Sequence, residues 1–243
     1  MDWLSRYQRG DRDSVWHELR QLGAVTGDRA AEAQAICDEM ARRARQNVEE
    51  LVRRLAEDGY RFHSNDDART AVQPHFPPSE QAGLFVEWLQ ERFGAVPMTV
   101  SSWIRHVGDV WLVGTHPEWD SSSAADPLVV EIEGLRFPDS PIQAYYEDCL
   151  ESWEESREDG DEVGLFTLPI SPDRHHKNNV SGGPPYGVVL PDGCANAQFI
   201  GETTMPFVAY LNHAFRSGGF PGRVDDVRAW RVRRRLSENL LPL

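Results

Sequence analysis

The chain is short of cysteine, of lysine and of long apolar runs, and each shortage removes a class of protein. Only Cys37, Cys149 and Cys194 occur, an odd and widely spaced set without a CxxC pair. That argues against a disulfide framework and against the common zinc and redox signatures. Free thiols predict a reducing, cytoplasmic setting. Lys177 is the one lysine beside 24 arginines, a skew that speaks of coding bias more than of function. No apolar stretch approaches the roughly 18 residues of a membrane span. The start, Met1-Asp2-Trp3-Leu4-Ser5-Arg6, is charged and amphipathic, so no signal peptide is predicted. GxSxG is missing, and Ser181-Gly182-Gly183 lacks the lysine and the strand–loop–helix context of a phosphate loop. Positive charge is in deficit as well: 25 basic against 39 acidic residues leave −14 over 243 residues. Such a field repels nucleic-acid backbones and suits a basic protein partner.

What is present is a clear order of elements. Asp13 or Ser14 starts a short helix through Val15, Trp16, Leu19 and Leu22, stopped by Gly23. A long helix is predicted from about Asp28 to Asp58, because Ile36, Met40, Ala44, Val48, Leu51 and Leu55 fall on one stripe. The arginines and glutamates between them read as a solvated face with i,i+4 pairs. Tyr60-Arg61-Phe62 is extended, and residues 63–79 read as a loop or linker. Ser79 then caps a helix that runs to Phe93 and Gly94. A second helix opens at Pro97 and closes at Gly108, the usual proline-first, glycine-last asymmetry. Strand-like runs follow at 110–113 and 128–132, then a helix from Ser140-Pro141 to about Arg157. Strands are expected at 163–170, 186–190 and 197–200, and a helix from about Met205 to Arg216. The absence of regular strand–helix alternation gives an α+β fold, an antiparallel or mixed sheet covered by helices, with an N-terminal helical region. The predicted division is 1–62 helical, 63–79 linker or loop, 80–222 α+β, and an arginine-rich helix at 223–243.

The stretch around Val96-Pro97, Trp103-Ile104, Val107-Gly108 and Val110–Gly114 is a proline-led helix, a glycine stop and a strand. Here the chain resembles the SUKH superfamily of bacterial immunity-type domains, over roughly residues 80–220. Thr204–Phe215 looks like the closing helix of that family, in which an aromatic residue packs back on the sheet. The resemblance implies a domain that binds another protein, often a toxin, and it carries over no catalytic residue.

The residues themselves offer a binding surface and two weaker candidates for chemistry. Glu147–Glu162 holds nine acidic residues against the single Arg157. On a helix its like charges at i,i+4 repel, and a basic partner relieves them. The partner-binding set is therefore Trp119, Asp120, Glu147, Glu151, Trp153, Glu154, Glu155 and Glu158. The second stretch, 172–186, places His175, His176 and Asp173 in a glycine-rich loop. With His116 or His213 it forms the basis of an alternative, a hydrolase-like enzyme with or without a divalent metal. In a third reading the chain is a structural subunit whose N-terminal helices form the interface. The arginine-rich tail can fold back on the acidic helix. No catalytic residue, metal ligand or cofactor is assigned. The leading expectation is a cytoplasmic, non-enzymatic module that neutralises or regulates a protein partner, with no nucleic acid or membrane involved.

Overall fold

The computed structural model describes residues 2–160 and 162–243. The acidic stretch is thus seen without Asp161. Three helices lead: α1 (Trp3–Gln8), α2 (Arg12–Gln21) and α3 (Asp28–Glu57). Helix α1 is held by local chemistry that the apolar pattern does not reveal, since the Asp2 carboxylate caps it by accepting the Ser5 N–H. Helix α3 buries the predicted stripe from Ile36 to Leu55. Its outer face is self-neutralised: Glu39 pairs with Arg42 and Arg43, Glu49 with Arg45, and Glu50 with Arg53 and Arg54, all within 3.0 Å.

The strands are short and every pairing is antiparallel. β1 (Arg61–Phe62) pairs with β4 (Gly114–Thr115), and β2 (His75–Phe76) with β3 (Asp109–Trp111), which pairs in turn with β5 (Val129–Val130). The segment 63–79 therefore contributes a strand to a sheet instead of running free. A four-stranded meander follows: β6 (Thr167–Ser171), β7 (Tyr186–Val189), β8 (Gln198–Ile200) and β9 (Thr204–Pro206). The Glu131 N–H donates to the Ile170 carbonyl at 2.8 Å and so joins the β5 segment to β6.

Helices α4 (Ala82–Phe93) and α5 (Met98–His106) lie close to the predicted positions, and α5 packs along α3. Gln81, not Ser79, occupies the cap position of α4; the Ser79 hydroxyl donates instead to Glu133 at 2.6 Å. Gly108 ends α5 with φ +85°, and a side chain there would overlap the Phe76 carbonyl oxygen of β2, so only glycine serves. Helix α6 (Ile142–Glu158) rests on β6. α7 (Arg174–Lys177) is one turn inside the stretch read as irregular, and α8 (Phe207–Arg216) closes the meander. Aromatics of α8 do pack back on the sheet, Tyr210 stacking on Phe199 at 4.0 Å. The main hydrophobic core reaches from Trp3 to Leu243 and includes the N-terminal helices and the sheets alike, and a small second cluster holds Trp111, Val113 and Val129. The arginine tail forms α9 (Val227–Ser237), which packs on α3 and α8. Its ionic partner corrects the sequence reading: Arg235 pairs with Asp58 at 2.6 Å, at the end of α3, not with the glutamates of α6. Among the described residues no helix is long and apolar enough to cross a membrane.

Candidate binding surfaces

The polar stretch 172–186 is tied down by its own side chains. Asp173 caps α7 by accepting the His176 N–H at 2.8 Å, and its other oxygen accepts the Gly183 N–H. Burial opposes the Asp173 charge, but these backbone donors prevail and hold the carboxyl below its usual range. A side chain at Gly182 would collide with that carboxylate. Lys177 is fully buried; its Nζ donates to Asp126 Oδ1 at 2.6 Å and lies 4.9 Å from the centre of the Tyr186 ring. Desolvation pulls the Lys177 pKa down, and Asp126 opposes it. Ser123 donates to Asn178, Asn65 to the His176 carbonyl, and Asn179 to Asp67. The stretch thus knots three loops together, and Asp173 and Lys177 are engaged in the fold.

The histidines of the enzyme reading sit in separate surroundings. His116 is buried, its Nδ1 accepts the Glu118 N–H at 3.1 Å, and its Nε2 lies 3.6 Å from Asp58. Burial lowers its pKa although Asp58 pulls the other way. His213 lines a cavity of about 310 Å³ together with Tyr186, Glu202 and Arg223, and His116 is not among the lining residues. His175 and His176 face solvent. Among the described residues, no three His, Cys, Asp or Glu side chains gather as a metal site.

The predicted partner-binding residues divide. Trp119 is 3% exposed and packs edge-on against Phe220 at 5.2 Å, so it is an internal anchor of its loop and not an accessible contact. The isolated pairing of His116 with Trp119 turns that indole inward, while Asp120 beside it is exposed. The other six lie on α6. That helix buries only Tyr146 and Leu150, through its first half. Glu147 reaches Arg92 at 3.8 Å. Glu151, Glu154, Glu155 and Glu158 are exposed and, among the described residues, enter no ion pair. Trp153 is half-buried, donates its indole N–H to the Gly164 carbonyl at 2.9 Å, rests on Phe166 and carries Arg157 over its ring. It braces the helix end from below, and the glutamates remain outside.

Just beyond α6 the surface opens into a cleft that no local signal announces. One part, of about 450 Å³, is lined by Leu165, Val189, Pro191, Met205 and Pro206; the adjoining part, of about 370 Å³, by Trp16, His17, Arg20, Asn196 and Arg216. These residues come from α2, the strand ends and α8, more than a hundred positions apart, so pattern reading of any one segment misses them. No family model matches the chain, and no curated protein or solved structure matches it either.

Proposed function

We propose that the chain is a non-enzymatic binding module of the cytoplasm that docks a cationic protein on the outer half of α6, in the manner of an immunity or antitoxin-type protein. The observation that carries this reading is the set of four glutamates, unpaired among the described residues, on the outward face of the second half of α6. Like charges at i,i+3 and i,i+4 destabilise a helix, and a basic surface laid against them removes the repulsion and speeds association. The overall −14 charge steers the same kind of partner. The resemblance to SUKH-type domains supports a toxin-like partner, and the engagement of Asp173, Lys177 and His116 within the fold weakens the enzyme reading.

The test compares the native chain with Glu151→Gln/Glu154→Gln/Glu155→Gln/Glu158→Gln as baits in a native lysate at low and moderate salt. A basic protein held stoichiometrically by the native chain, released by salt and lost from the glutamine variant, is the expected result. Its association rate should fall by about tenfold in the variant at low salt, and its own activity should be inhibited by the native chain. Equal retention of that protein by both baits overturns the assignment to α6.

A further inference from the structure

We infer that the cleft beside α2 and α8 binds a small amphiphilic anion, its carboxylate or phosphate head at Arg20 and Arg216 and its aliphatic chain toward Leu165. This goes beyond the protein-docking reading and does not rest on it. Arg20 stands in the last turn of α2 and Arg216 ends α8, yet both line one cavity together with His17. Both arginines are exposed, and among the described residues neither enters an ion pair. Asp13 is the one acidic lining residue there, so the end is net positive in a chain whose overall charge is −14.

Two unpaired guanidinium groups lining one cleft favour an anion there, and their planar forks match carboxylate and phosphate oxygens. Trp16 lines the same end, and its indole N–H has no partner among the described residues. The other end is mostly apolar, with Leu165 71% exposed beside Val189, Pro191 and Met205, and Asp192 is the one carboxylate on its lining. Arg20, Asn196 and Pro206 line both parts, so the two ends are continuous. An inorganic anion would leave the apolar end wet, and a neutral hydrocarbon would leave the arginines unpaired. A molecule with a charged head and an aliphatic chain satisfies both.

Titration calorimetry with decanoate and with decyl phosphate, each below its micelle concentration, tests the inference. The expected result is one-to-one binding of at least one of them, and which one binds identifies the head group. Arg20→Gln/Arg216→Gln should weaken it by about tenfold or more, because charge-assisted pairs are lost. Decanol should bind at least about tenfold more weakly than the charged probe, and shortening decanoate to hexanoate should cost at least about tenfold, since each buried methylene contributes. Leu165→Ser, at an exposed position, should weaken the ten-carbon probes several-fold. A thermal melt confirms that each variant is folded, and the α6 glutamine variant should bind the probes like the native chain. No binding of either probe up to millimolar concentration overturns the inference. Equal affinity of the native and double-arginine chains, or of decanol and decanoate, does so as well.

Discussion

Along α3, Arg42, Arg43, Arg45, Arg53 and Arg54 stand three or four residues from Glu39, Glu49 and Glu50 and pair with them. Along α6, Glu151, Glu154, Glu155 and Glu158 stand three or four residues from one another, and no described residue answers them with a positive charge. Both helices present charge to water, but in α3 the order of signs closes the electrostatics within the helix. In α6 the same spacing with one sign leaves a field that reaches outward. The difference teaches that the arrangement of charge, not its amount, separates a self-neutralised face from one whose charges stand open to water. Lys177 and Asp126 mark the inner limit of the answered case, a pair almost shut off from water.

The largest effect is expected where an answered charge is buried. Lys177→Met leaves Asp126 unpaired inside the protein and should cost about 3–5 kcal/mol in urea unfolding. Adding Asp126→Asn, which removes the stranded charge and keeps a residue tolerant of the φ +56° there, should restore much of that loss. If the double variant is no better than the single, packing and not charge explains the cost. Acid provides the next contrast, on α3. Burial works against the Asp38 charge, but His106, Ser102 and Gln34 hold its carboxyl down, from 3.8 to about 2. The folded pKa lies below the unfolded one, so this stabilisation is present above about pH 4 and disappears as the pH falls toward 2. Because the group is only partly buried, the gain is roughly 1–2 kcal/mol. Asp38→Asn should flatten the acid limb of a stability–pH curve in that window and leave its alkaline side unchanged.

Smaller effects bear directly on the two helices. Glu50→Arg sets a third positive charge beside Arg53 and Arg54 and should lower stability by under about 1 kcal/mol, roughly 2–3 °C in Tm. The fourfold glutamine change on α6 should do the reverse: Tm equal to the native value or higher by about 1–2 °C at low salt, the gain fading as salt screens the repulsion. A clear drop in Tm would mean that those glutamates are answered inside the chain, and the comparison would collapse.

The regular parts of the fold were legible because their signals are local. A stripe at helical spacing marked α3, Pro97 and Gly108 bounded α5, and Pro141 placed the start of α6 within a residue or two of Ile142. The short elements were not. α1 depends on one cap, α7 on the Asp173 cap, and β9 is three residues that read as the start of the following helix. Of the candidate binding set, the α6 glutamates were legible because exposed like charges on a helix follow from spacing. Trp119 was misread because a tryptophan in a polar turn has the same local sequence whether it faces water or Phe220. The cleft was invisible for a related reason: Arg20 and Arg216 line one cavity only once the whole chain has folded.

What the sequence alone determined is the sign and order of charge along each helix, since neighbours three and four residues apart are set by helical geometry before any packing occurs. The tertiary structure decided which tryptophan is an anchor, which lysine is sealed against an aspartate and where two arginines share a cleft. Burial and desolvation depend on residues remote in the chain, and these become neighbours only when the core has formed.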